Sequence, residues 1–138
     1  MNKWCFRIVG LVATLFMLAG GPFMASASAA GKIALVLDVG GRGDLSFNDM
    51  GFKGSDEAVA NLGVEVVEIQ SNSAADYLPN MQNAARSGQF DLIVAVGFLI
   101  ADAMAEVAGQ FPDQKFAIID VTWLDKPNLM EIGYEENK

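Results

Sequence analysis

The residues best suited to chemistry lie together: Asp38-Val39-Gly40-Gly41-Arg42-Gly43-Asp44-Leu45-Ser46-Phe47-Asn48. Three glycines in four positions let the backbone turn sharply and approach a guest closely. Around that turn stand two carboxylates, a hydroxyl, an amide and an aromatic ring. Asp38 can accept hydrogen bonds from a sugar hydroxyl or a base N–H, or it can cap a helix and hold the turn. Phe47 can stack on a planar base, worth about 1–3 kcal/mol in nucleic-acid systems, or pack into the core. Asn48 carries both a donor and an acceptor, which suits the edge of a base. Ser46 has a sufficient task as a helix N-cap. Asp44 is placed to hold Arg42 or the loop.

The elements around this loop explain its position. The apolar run Ile33-Ala34-Leu35-Val36-Leu37 reads as a strand buried on both faces. A helix starting at Ser46 follows, with Asp49 at the capping-box position. Met50, Gly54, Ala58 and Leu62 recur every four residues as its inner face, and Gly63 ends it. Further strands are expected over 64–70, 91–96, 115–120 and 128–134. Between them lie a helix capped by Ser73 and Asp76 and ended by Gly88, and another over 99–110 stopped by Pro112. Tyr77, Leu78, Met81, Ala84 and Ala85 form the buried set of the first of these; Met104, Val107, Ala108 and Phe111 that of the second.

This alternation predicts an α/β fold: a doubly wound parallel sheet with right-handed crossovers and strand order 2-1-3-4-5. Such sheets hold ligands in the crevice at the carboxyl ends of the strands, where the strand order reverses. Gly97 and Phe98 follow the third strand there. The glycine admits a ligand to the backbone, and the ring either lines a pocket or packs. Asp120 closes the fourth strand, and Trp123 is expected to cover the sheet edge.

Composition narrows the chemistry. The chain has no histidine, which removes the usual catalytic triads and most zinc sites. Its single cysteine, Cys5, lies near the start, so neither a disulfide scaffold nor a cysteine metal site is expected. The spacing of Asp38, Asp44 and Asp49 is not that of a calcium loop. Gly40-Gly41-Arg42-Gly43 lacks the lysine and hydroxyl of a phosphate loop. No cofactor or metal is expected. Residues 1–29 read as a signal peptide: Lys3 and Arg7 precede an apolar stretch from Ile8 to Met24, and Ala27-Ser28-Ala29 fits a cleavage site. Residues 30–138 carry 7 basic and 17 acidic side chains, a charge of −10. That balance argues against nucleic acid and against an anionic membrane surface.

Several separated motifs carry a resemblance. Asp38-x-Gly40-Gly41-x-x-Asp44-x-Ser46-Phe47-Asn48 stands after the first strand. Val96-Gly97-Phe98 with Ala101-Asp102-Ala103 comes after the third, and Ala117-Ile118-Ile119-Asp120 at the fourth. In this order they resemble the basic membrane protein family, the substrate-binding proteins of ABC importers, which includes purine nucleoside receptors. The resemblance runs from Lys32 to the last residue. It implies the N-terminal lobe of a type I periplasmic-binding-protein fold, with the chain ending inside the first of two lobes.

By the same resemblance the ligand is a purine nucleoside or similar heterocycle, and the partner is an ABC permease in the inner membrane. The implied contacts are Asp38 and a base-stacking Phe47, with Asn48, Gly97, Phe98 and Asp120 around them. No reaction is catalysed, and the protein is expected to be a monomer. Many family members are lipid-anchored, but this sequence has Gly21 where the lipidated cysteine would follow Leu18-Ala19-Gly20. The expectation is therefore a soluble periplasmic protein without a lipid anchor. The rival readings are a secreted α/β enzyme using Asp38 or Asp44 as nucleophile, which would need a nearby cation and a positioned base, and a ligand sensor without an importer.

Overall fold

The structure, a computed structural model, describes residues 30–134; the proposed signal peptide lies outside the described residues. Five strands form one parallel sheet: β1 (Lys32–Leu37), β2 (Glu65–Gln70), β3 (Leu92–Val96), β4 (Phe116–Ile119) and β5 (Leu129–Ile132). Their order is β2-β1-β3-β4-β5, as the alternating pattern predicts. The helices are α1 (Phe47–Leu62), α2 (Tyr77–Ser87) and α3 (Ala101–Gln110), with short 3-10 turns over Ala74–Asp76 and Phe98–Ile100.

Parallel strands buried on both faces are near-continuous apolar runs, and β1 from Ile33 onward and β3 supply them. On one face Ala34, Val36, Ile93, Ala95, Phe116 and Ile118 form the main core with Met81, Ala84, Met104 and Val107 of α2 and α3. On the other, Leu35, Leu37 and Val96 pack with Phe52 of α1. The buried sets expected for α2 and α3 are the ones observed, with Leu78 and Phe111 at their margins. Gly63 and Gly88 end their helices with φ of 67° and 62°, conformations that glycine adopts without strain.

Helix α1 departs from its expected register. Its buried residues are Asn48, Phe52 and Ser55, whereas Met50 is 62% exposed and Leu62 is also exposed. The Phe52 ring, with its large apolar area, packs against Leu35, Leu37 and Val96, while Met50, Gly54 and Ala58 border an open apolar groove beside it. Over Phe52 the Arg42 guanidinium stacks 3.7 Å from the ring centroid. Arg42 also pairs with Glu68 at 2.8 Å, so Asp44 does not hold it.

The N-cap differs as well. Ser46 makes no capping hydrogen bond with its side chain. Asp44 takes that task, its carboxylate accepting the backbone N–H groups of Ser46, Asn48 and Asp49. Asp49 reaches back to the N–H groups of Gly43 and Leu45 instead. Trp123 is exposed in the loop between β4 and β5 and does not cover the sheet edge.

Candidate functional site

The site begins with strand register. Val36 pairs with Ala95, and Val96 with Ile119. Continued two residues and one residue further, the register sets Asp38, Gly97 and Asp120 in one row across the carboxyl ends of β1, β3 and β4. With strands about 4.8 Å apart, the two aspartates are roughly 10 Å apart at the backbone. A residue with no side chain stands between them. This is the topological switch point, where helices depart to opposite faces of the sheet.

Asp38 is fixed by its own loop. Its N–H donates to Asn48 Oδ1 at 3.2 Å, and its carbonyl accepts from Gln70 Nε2 at 2.7 Å. Carboxylate oxygen Oδ1 accepts the Gly40 N–H at 3.0 Å. The other oxygen, Oδ2, faces Gly97: a Cβ built there would lie 3.5 Å from it. Gly97 has φ of 95°, a conformation that L side chains rarely adopt. Gly40 is equally constrained, since a Cβ there would lie 2.8 Å from Asn48 Nδ2.

Asn48 was expected at the edge of a base. It is instead 3% exposed. Oδ1 accepts from Asp38, and Nδ2 donates to Asp44 Oδ2 at 2.9 Å. Its amide therefore joins the two ends of the loop and supports Asp38 from behind. Four donors converge on Asp44. Partial burial raises its carboxyl, but the N–H groups of Ser46, Asp49 and Asn48 and the Asn48 amide together outweigh that and hold it below the usual carboxylate range.

Phe47 and Asp120 meet in a groove of about 530 Å³, lined also by Ser46, Met50 and Tyr134. Phe47 opens α1 and is 42% exposed, with its ring available to a planar guest. Asp120 has φ of 70°, which aspartate tolerates better than most residues. Its N–H donates to the Ile132 carbonyl at 2.7 Å, so β5 holds it in place. Phe98 is exposed at the start of its 3-10 turn, beside exposed Leu99, while Ile100 anchors the turn in the core. Phe98 is thus free to meet a ligand, but it is not among the residues lining the groove.

Three groove residues escaped the sequence reading: Ser46, read as the helix cap, Met50, read as part of the helix's inner face, and Tyr134, read as the end of a strand with no task. They follow from tertiary placement: Asp44 takes the cap, α1 buries Phe52, and the segment after β5 ends at the edge of the groove. Among the described residues, no three or more acidic, histidine or cysteine side chains gather as a metal site. Nor is any described helix long and apolar enough to cross a membrane.

Comparison with known proteins assigns the chain. A model of the PnrA-like ABC transporter substrate-binding proteins matches residues 32–138. An uncharacterized lipoprotein of Pyrococcus horikoshii is 39% identical over 99% of this chain and 35% of its own length. A Lactococcus lactis ABC transporter nucleoside-binding protein is 29% identical over 92% of this chain and 39% of its own. An ABC transporter solute-binding protein from Aeropyrum pernix superposes with a TM-score of 0.69 at 43% identity, over 73% of this chain and 28% of that one. The chain thus spans little more than a third, or less, of these relatives.

One expectation is overturned. Relatives from three Pyrococcus species, up to 50% identical, are named lipoproteins. They come from archaea, which lack a periplasm in the usual sense. This conflicts with a periplasmic protein free of a lipid anchor, and the missing cysteine after Gly20 was too local a feature to carry that conclusion. The sheet order, the motif-bearing loops and the match over residues 32–138 agree: the chain belongs to the PnrA-like family of ABC transporter substrate-binding proteins.

Proposed function

We propose that this chain forms one lobe of a two-lobe ABC-importer substrate-binding protein whose ligand is a purine nucleoside or a closely similar heterocycle. The row Asp38–Gly97–Asp120, with Phe47 beside it, carries the reading. Phe47 stacks on one face of the base. Asp38 and Asp120 accept hydrogen bonds from ligand N–H and O–H groups, and Gly97 leaves room for the guest between them. Phe98 extends the apolar rim, and Asn48 acts indirectly, by holding Asp38. Closure of a second lobe about a hinge buries the opposite face of the ligand, and an ABC permease receives it.

A single lobe leaves half of a bound nucleoside in water. The chain alone therefore binds weakly or not at all, and the two-lobe protein binds well. Calorimetry with adenosine, guanosine and inosine tests this on both. In the two-lobe protein Phe47→Ala should cost about 1–3 kcal/mol of binding, and Asp38→Ala about 1.5–3 kcal/mol. Equal affinity for chain and two-lobe protein, or no heat with any of the three nucleosides, overturns the proposal. Unchanged affinity in Phe47→Ala returns that ring to a packing role. The enzyme alternative gains no support: Arg42 is committed to Glu68 and Phe52 rather than to Asp38 or Asp44.

A further inference from the structure

Gln70, the last residue of β2, reaches out of its own strand into the glycine loop. The β1–β2 ladder ends with the pair Leu37–Gln70, and Asp38 lies one residue beyond it. The Gln70 side chain continues the connection from there. Its Nε2 donates to the Asp38 carbonyl and to the Ser71 carbonyl, at 2.7 Å each. A primary amide has two N–H donors, and both are used. Because both partners are acceptors, the nitrogen rather than the oxygen must face them.

The amide oxygen makes a second contact with the same loop. It faces Gly41: a Cβ added there would stand 2.9 Å from it. Gly41 is buried and has φ of 64°, so the loop backbone passes close to the amide in a conformation that suits glycine. One side chain thus meets the loop at Asp38 and again at Gly41.

The base from which Gln70 reaches is itself fixed. The next residue, Ser71, is fully buried, and its hydroxyl accepts from Asn80 of α2 at 3.2 Å. Asp76 accepts the N–H groups of Asn72 and Ser73 at 2.9 Å each. Glu68 stands two residues earlier, on the same face of the strand, and pairs with Arg42 at 2.8 Å. Side chains of β2 therefore grip the loop at Asp38 and at Arg42, while Asn48 of α1 holds the Asp38 N–H. The peptide groups before and after the Asp38 Cα are each tied by an amide side chain, which leaves its carboxylate little freedom of direction.

We infer that Gln70 is a positioning residue for ligand capture: from the edge strand it fixes the main chain of Asp38 and so aims the carboxylate along the row it forms with Gly97 and Asp120. The consequence for affinity rests on the nucleoside-binding reading; the effect on the loop does not. Gln70→Met keeps an unbranched side chain of similar length and removes both donors. Gln70 is exposed, so the fold should survive the change. Amide hydrogen exchange on the 138-residue chain should show Asp38 and Gly40, whose N–H groups bond within the loop, exchanging about fivefold faster. Ile93 and Met104 should be unchanged.

In the two-lobe protein the same variant should weaken inosine binding about fivefold, the size of one neutral hydrogen bond. Combined with Asp38→Asn it should add little, because both act through one carboxylate. Combined with Phe47→Ala the losses should add, because that ring stands on another element. Unchanged exchange at Asp38 and Gly40 overturns the inference. So does exchange that rises equally at all four amides, or a loss of affinity that adds fully to that of Asp38→Asn. If no variant, wild type included, binds inosine while loop exchange still rises, the nucleoside reading fails and the positioning of Asp38 by Gln70 stands.

Discussion

The two ends of the sheet are built on opposite plans. At the amino end the elements are stitched together. The Lys32 N–H donates to Asp91 at 2.8 Å, and its ammonium pairs with Glu65 at 2.7 Å and lies over the Phe90 ring. Asn128 Nδ2 reaches three carbonyls, those of Ala108, Phe111 and Gln114, and so closes the end of α3 onto β5. At the carboxyl end lie Leu45 and Asp120, two non-glycine residues with positive φ, and the exposed side chains of Phe47, Phe98 and Trp123. Strained backbone costs of order 1–3 kcal/mol per residue and persists where surrounding structure enforces it. The stitched end secures the fold, and the other end sets strained backbone and exposed rings around a hydrogen-bonded loop of its own.

Substitutions at the two ends test that contrast. The largest effect belongs to the stitched end. Phe116 opens β4 and is fully buried, so Phe116→Ala should cost about 3–5 kcal/mol of stability in urea unfolding. A loss below 1 kcal/mol would mean that this end does not hold the core. Asn128→Ala strands three carbonyls and should cost about 1–3 kcal/mol. A neutral result would show that water replaces the amide.

The third prediction concerns pH at the carboxyl end. Asp44 has its carboxyl lowered in the folded chain, so its contribution is fully present above the ordinary carboxylate range, near 4. It is lost as pH falls through the lowered folded value. The stability difference between wild type and Asp44→Asn should therefore shrink on acidification below about pH 4. A difference independent of pH would remove Asp44 as the charged cap of α1. The smallest effect on stability belongs to Asp120→Gly. Glycine suits φ of 70°, so thermal unfolding should be unchanged or shifted up by no more than about 1 kcal/mol, while nucleoside affinity in the two-lobe protein falls. A marked destabilisation would give Asp120 a structural task instead.

The contrast also explains what the sequence could reveal. Strand order and helix positions were legible because apolar runs and glycine stops are local signals, and five of them in alternation leave few topologies. The register of α1 was not. A four-residue repeat of Met50, Gly54, Ala58 and Leu62 competes with one large ring, and only the packed structure shows that Phe52 wins. The cap was read as Ser46, whereas Asp44, an equally suitable side chain two residues earlier, takes the task. Asn48 shows the same limit within the site. Its amide suits a base edge and equally suits Asp38 and Asp44, and the choice depends on how the glycine turn folds back. Asn128 could not be read at all, since its three acceptors lie 14 to 20 residues away.

The chain of hydrogen bonds from Asp38 through Asn48 to Asp44 has a kinetic consequence. A loop already tied at both ends has little freedom left to surrender when a guest arrives. If the chain binds a ligand as proposed, capture requires no folding step, and encounter should proceed at a rate set by diffusion and orientation. Differences among related ligands would be written in how long each one stays.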